Sequence, residues 1–227
     1  MIAVEQLANM IDHTLLRADA TEEEFKQLCK EADDYGFKMV AINSFPVQMC
    51  RKFLHNSPVH VGAAIGFPLG QTTIKAKVVE IEDAIENGAD EIDYVINISR
   101  LKDGDLAYIR REMEEIVTVC QHAGILSKVI LENCYLTGEE KIAVCEIAKE
   151  VKPDFVKTST GFGTSGATVE DVKLMKQVVG DLVKVKAAGG IRDLDTALQM
   201  IDAGAERLGM SAGIKVVEEY KTRITSL

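Results

Sequence analysis

The 227-residue chain contains no tryptophan, and aromatic residues make up only 5% of it. Apolar residues nevertheless reach 47%, so valine, isoleucine, leucine and alanine must fill the interior. That composition suits parallel strands buried on both faces, which read as Val/Ile-rich runs. No stretch approaches the roughly 18 consecutive apolar residues of a membrane span, and Met1–Met10 lacks the basic and apolar regions of a secretory signal. The five cysteines (Cys29, Cys50, Cys120, Cys134 and Cys145) are odd in number and include no C-x-x-C pair. A disulfide framework or zinc site is therefore not expected, and a reducing cytoplasm is the simplest setting. Positive charge is short as well: 26 Lys and Arg face 36 Asp and Glu, a net charge of −10. This balance argues against nucleic acid or an anionic membrane as the main partner. An anionic substrate would have to be held by a local cluster of cations and helix N-termini, against the field of the whole chain.

What is present is alternation. Short apolar runs begin near Ile11, Lys38, His60, Glu91, Lys128, Asp154, Leu182 and Glu206, about the spacing of one strand plus one crossover helix. Between them lie amphipathic segments with start and stop signals. Thr21 to Glu24 forms a capping-box pattern opening a helix through Ala32, with Gly36 beyond it. Further helices are predicted over Lys75–Glu86, Leu106–Ala123, Gly138–Val151, Thr168–Val179 and Asp193–Ala203. Eight repeats with no linker predict one α/β domain over residues 1–227, a (β/α)8 TIM barrel. An open doubly wound sheet is the alternative, but no G-x-G-x-x-G follows the first strand.

Residues two apart share a strand face. Asp12 goes with Thr14, Met39 and Ala41 with Asn43, Glu91 with Asp93, Lys128 and Ile130 with Glu132, Phe155 with Lys157, and Lys184 with Lys186. The opposite faces are apolar, so these polar groups should point into the barrel. There each charge must be paired, neutralised or used. Glu132 and Lys184 read equally well as structural salt-bridge partners. Lys157 differs because Lys186 lies one strand over. Two unit charges about 4 Å apart repel by about 4 kcal/mol at an effective dielectric near 20, roughly three pKa units, enough to bring an amine towards neutrality. A neutral amine can attack a carbonyl; an ammonium cannot. The plainer reading is that Lys157 only binds an anion. Two glycine-rich turns, Ala188–Arg192 and Gly209–Gly213, follow strands seven and eight, where barrel enzymes often hold phosphate. Gly161-Phe162-Gly163 offers a third side.

The segments Ile11–Leu16, Ile65–Gly70, Glu91–Asn97, Phe155–Phe162 and Val185–Arg192, in that order, resemble the deoxyribose-phosphate aldolase family across nearly the whole chain. The resemblance implies a class I aldolase with no metal or cofactor that reversibly cleaves 2-deoxy-D-ribose 5-phosphate to D-glyceraldehyde 3-phosphate and acetaldehyde. It implies that Lys157 forms the Schiff base, that Lys186 keeps it nucleophilic, and that Asp93 assists proton transfer through a water. It places the phosphate on Gly161, Gly189, Gly190, Gly209 and Ser211. Asp12, Asn43 and Thr158 would orient groups around the iminium or simply brace the barrel mouth.

The chain departs from the family pattern in places. Ala41 stands where many members carry cysteine, so inhibition through that thiol should be absent. Tyr94 replaces an aliphatic on the outer face, and Met210 a small residue in the last phosphate loop. Lys184 also replaces a small residue and is expected to pair with Glu132 or Glu91, or to perturb Lys157 further. The tail Lys221–Leu227 lacks a terminal tyrosine that some members use to close the site. Rival readings are another Schiff-base aldolase or transaldolase, a sugar-phosphate isomerase or epimerase, and a non-catalytic sugar-phosphate binder. The partners expected are small sugar phosphates and aldehydes, with a homodimer as the default assembly.

Overall fold

In a computed structural model that describes residues 2–225, the alternating runs become eight strands: β1 Ile11–Thr14, β2 Met39–Asn43, β3 His60–Ile65, β4 Glu91–Val95, β5 Leu126–Ile130, β6 Phe155–Lys157, β7 Lys184–Ala188 and β8 Arg207–Met210. All pair in parallel, each with its sequence neighbours, and β8 closes on β1. The result is a (β/α)8 barrel. Every predicted strand is present, within about two residues of the expected start.

Ten helices are present among the described residues: α1 Val4–Ala8, α2 Glu22–Tyr35, α3 Val47–Phe53, α4 Ile74–Glu86, α5 Ile98–Lys102, α6 Leu106–Ala123, α7 Gly138–Val151, α8 Val169–Val179, α9 Leu194–Asp202 and α10 Gly213–Thr225. The predicted capping box holds: the Glu24 carboxylate accepts from the Thr21 amide at 2.8 Å. Gly36 ends α2 in the left-handed region at φ 66°. The same device recurs at α7, where Glu140 accepts from the Thr137 amide at 2.7 Å. The predicted helices do not include α1, α3 and α5, which have at most seven residues and are too short to show a helical period, and no bounds are predicted for the 13-residue α10. None of the helices is long and apolar enough to cross a membrane. The last two residues of the tail, including the position where a terminal tyrosine is lacking, lie outside the described residues.

The core is the layer between strands and helices. Val40, Ile42, Val61, Ile92, Val129, Val156, Val185 and Leu208 are fully buried there, alternating with the inward residues as a half-period of two requires. Tyr94 joins this outer layer as expected, wholly buried and with its hydroxyl unpartnered. The inner layers differ: where many barrels stack branched aliphatics, this one stacks charged side chains.

Candidate active site

Strand register decides which inward side chains meet. Lys157 lies opposite Lys186, Lys186 opposite Arg207, and Asp93 opposite Lys128. The carboxylate of Asp93, on β4, reaches across the interior and collects three lysine amino groups. Its Oδ1 takes Lys128 Nζ at 2.5 Å, and its Oδ2 takes Lys157 Nζ at 2.8 Å and Lys186 Nζ at 2.7 Å. Below this cluster Lys186 is also paired with Asp12. Arg207 Nη1 bonds Asp12 at 2.7 Å and approaches Glu91 at 3.3 Å. Glu91 takes Lys128 at 2.6 Å and the His60 imidazole at 2.6 Å. Lys128, Lys186, Asp12 and Glu91 are all fully buried.

This column sets three carboxylates against four cationic groups, and Lys157 reaches one carboxylate where Lys128, Lys186 and Arg207 each reach two. Asp12, Glu91 and Asp93 match Lys128, Lys186 and Arg207, which leaves Lys157 as the surplus cation. An unmatched buried charge is expensive, so the group neutralises instead. Burial is the largest influence and lowers the pKa of Lys157. Asp93 pulls it back up in part, while Lys186 and then Lys128 push it down, to about 8. The order of causes corrects the sequence reading: desolvation leads, and repulsion from Lys186 is secondary. Burial works against ionised Asp93, yet Lys128, Lys157 and Lys186 together hold its carboxyl well below the usual range. Burial likewise opposes the charge on Lys128, but Asp93 and Glu91 keep it protonated with a raised pKa. One amine among these lysines is thus set apart.

Lys157 opens into a cavity of about 450 Å³ at the end of the barrel where the strands finish. Gly161, Gly189, Gly190, Gly209 and Ser211 all line it, which brings together the predicted phosphate-holding residues. Gly189 and Gly190 have φ of 83° and 78°, conformations open to glycine at little cost. At Gly209 an added Cβ would meet Ala188 Cβ at 2.9 Å and Lys186 Cε at 3.3 Å, so glycine there keeps this loop close to the lysine column. Among the described residues, the amides of Gly161, Gly189, Gly190 and Ser211 donate to no protein acceptor. Free amides converging on one space are what an oxyanion requires. Arg17 and Arg192 also line the cavity. Arg17 is held by Asp19 and Glu24, and neither arginine was named as a site residue from sequence. Met210 lines the cavity too, beside Gly209 and Ser211.

The other expected site residues are not on this cavity wall. Asp12 anchors Lys186 and Arg207 one layer down. The Asn43 amide donates to the Leu16 carbonyl at 3.1 Å, bracing the β1 loop. Thr158 Oγ1 donates to the Ala188 carbonyl at 3.2 Å and accepts from its amide at 3.1 Å, tying β6 to β7. Two further expectations are corrected. Lys184 is exposed at the opposite end of the barrel, with its ammonium 5.6 Å from the centre of the Phe155 ring, and pairs with neither Glu132 nor Glu91. As the first residue of β7 it lies below the packed layers. Glu132 does not continue the inner face of β5, which ends at Ile130. It adopts φ 57°, and its buried carboxylate accepts from the Thr160 amide at 3.1 Å and from the Thr160 hydroxyl. That clamp fixes the loop carrying Gly161.

Lys128 and Arg207 are the structural partners that sequence reasoning missed. Lys128 was visible as inward-facing, but its role as second anchor of Asp93 depends on how the barrel closes. Among the described residues no group of three or more His, Cys, Asp and Glu is arranged to hold a metal ion.

Comparison with known proteins agrees with this geometry. A family model described as DeoC/LacD family aldolase matches residues 7–219. A deoxyribose-phosphate aldolase of Bacteroides thetaiotaomicron is 58% identical over 220 residues, covering 97% of this chain and 92% of the relative. One from Lactobacillus acidophilus is 58% identical over 221 residues, covering 97% and 93%. Among solved structures, a tetrameric deoxyribose phosphate aldolase from Aeropyrum pernix superposes with a TM-score of 0.91 at 34% identity, covering 97% of this chain and 93% of that one.

Proposed function

Because the chain belongs to the DeoC/LacD aldolase family, we propose that it reversibly cleaves 2-deoxy-D-ribose 5-phosphate to D-glyceraldehyde 3-phosphate and acetaldehyde, with Lys157 as the Schiff-base nucleophile. The single observation that carries the assignment of Lys157 is its place as the surplus amine of a balanced ionic column, facing a cavity walled by free amides.

The amides of Gly161, Gly189, Gly190 and Ser211, with the cation of Arg192, receive the phosphate and set the open-chain sugar with its aldehyde over Lys157. Neutral Nζ adds to C1, and loss of water leaves an iminium, which draws electrons from the adjacent bond. The C2–C3 bond breaks as the C3 hydroxyl gives up its proton, so C3 becomes the aldehyde of glyceraldehyde 3-phosphate and C1–C2 stay on the lysine as an enamine. The cations that hold Asp93 ionised also weaken it as a base. A water held between Asp93 and Lys186 therefore relays the C3 hydroxyl proton to the carboxylate, which keeps it only until it returns through the same water to C2 of the enamine. Protonation of the enamine at C2 and hydrolysis release acetaldehyde and restore the amine. Asp12, Asn43 and Thr158 act as braces in this scheme.

In this reading residues 1–227 work as one barrel domain in the cytoplasm, where the free thiols at Cys29, Cys50, Cys120, Cys134 and Cys145 stay reduced. Self-association is part of it, given the tetrameric Aeropyrum pernix relative, although nothing in the site requires a second copy.

The assay that tests it follows acetaldehyde release from 2-deoxy-D-ribose 5-phosphate across pH. With Lys157 near 8, about one amine in ten is neutral at pH 7. The single-turnover rate of imine formation should rise about tenfold per unit below that value and level off above it. A flat profile from pH 6 to 9 would remove the neutral-amine step. Faster carbon–carbon bond formation with dihydroxyacetone than with acetaldehyde as donor would favour the rival aldolase.

A further inference from the structure

The strands all begin at the end of the barrel opposite Lys157, and that end carries cations the aldol chemistry does not use. A second cavity, of about 420 Å³, opens there. Its wall includes Lys38, just before β2, and the first residues of β6, β7 and β8, which are Phe155, Lys184 and Arg207.

Arg207 is only 5% exposed. Its Nη1 is taken by Asp12 and Glu91, but Nε and Nη2 donate to no acceptor among the described residues, and neither is sealed from solvent. A buried guanidinium with one edge satisfied and the other open to a cavity is half of a bidentate oxyanion contact. Lys184 has no carboxylate partner among the described residues; its ammonium and the Arg207 guanidinium lie 5.6 and 5.2 Å from the centre of the Phe155 ring. The one hydrogen-bond partner of the Lys38 ammonium among the described residues is His60 Nε2 at 3.3 Å, which is not an anion. Among the described residues the one acid on the wall, Glu206, is engaged by Lys176 at 3.0 Å. In a chain of net charge −10, most of whose lysines and arginines are matched with acids, Lys38 and Lys184 leave this wall with positive charge that no carboxylate among the described residues offsets.

We propose that the N-terminal mouth binds a compact oxyanion, a phosphate or carboxylate group, through the open edge of Arg207 and the ammonium groups of Lys38 and Lys184. It is an anion site distinct from the phosphate cradle beside Lys157, and it does not depend on the aldolase reading.

Equilibrium dialysis of the full chain against labelled inorganic phosphate should find two sites. Ser211→Asp sets a carboxylate in the cradle and should leave one. The double variant Lys38→Gln/Lys184→Gln should also leave one, with affinity at the N-terminal mouth lowered at least about tenfold. Neither lysine reaches the cradle, so kcat and KM of that variant should stay within about twofold of the parent, which also reports correct folding. A parallel arm adds malonate. Displacement of phosphate from the N-terminal mouth would show that carboxylates are accepted, whereas phosphate binding that malonate leaves untouched would restrict the site to phosphates; both outcomes support it. One phosphate per parent chain, lost in Ser211→Asp, overturns the proposal. So does a double variant that keeps both sites at unchanged affinity.

Discussion

Replacing Lys157 with methionine is expected to lower turnover by on the order of 10⁵-fold, since no other amine in the column can take over the nucleophile's task. Lys128 and Lys186 are each shared between two carboxylates, and neither lines the cavity. The same substitution should make the protein more stable, an outcome a merely structural lysine would not give. Lys157 has a pKa near 8 in the folded chain against 10.5 as its ordinary value, so the folded state disfavours its proton. Below about pH 8 that penalty is fully present, of order 3 kcal/mol, and it fades as pH rises from 8 to 10.5. After allowing about 1 kcal/mol for the lost bond to Asp93, Lys157→Met should gain roughly 2 kcal/mol at pH 7 and lose that gain above about pH 10. Denaturant unfolding at pH 7 and pH 10 measures it. A variant less stable than the parent at pH 7 would mean that the amine is charged and satisfied.

Lys186→Leu tests the other half of the balance. Removing this cation takes away a repulsion that lowers the pKa of Lys157 and leaves Asp93 freer to hold Lys157 as an ammonium. Turnover at pH 7 should fall by two or more orders of magnitude, and the midpoint of the pH profile should move upward, so that part of the loss is recovered near pH 9.5. Asp12 would keep only Arg207 as an ion-pair partner, and breaking a buried pair costs about 3–5 kcal/mol; rates must therefore be referred to the folded fraction. A variant within threefold of the parent at pH 7, with an unmoved profile, would leave burial and Lys128, without Lys186, as the causes of the lowered pKa.

The barrel was legible because its strands are two-faced. Val183, Val185 and Ala187 must lie on the helix side, and that alone sends Lys186 inward. The same alternation identified Asp12, Asp93, Lys128 and Lys157. It could not say who pairs with whom, because the meeting of Asp93 with amines from β5, β6 and β7 is set by barrel closure rather than by local sequence. Face assignment also failed at strand ends. Lys184 has the inward parity of Lys186 but lies beyond the last packed layer, where solvent is available to its ammonium. Glu132 was assigned by extending β5 two residues too far; nothing in its side chain announces a left-handed backbone, as a glycine or asparagine would. The glycine-rich wall of the cavity was legible in the two turns, whereas Arg192, adjoining them, became a candidate only once the cavity was seen to include it.

The account stands or falls on a covalent bond to a single amine. Incubating the protein with acetaldehyde, reducing with borohydride and mapping the product by mass spectrometry should place one ethyl group on Nζ of residue 157. An ethyl group on Lys128 or Lys186 instead, or an unmodified protein after full exposure, would contradict it.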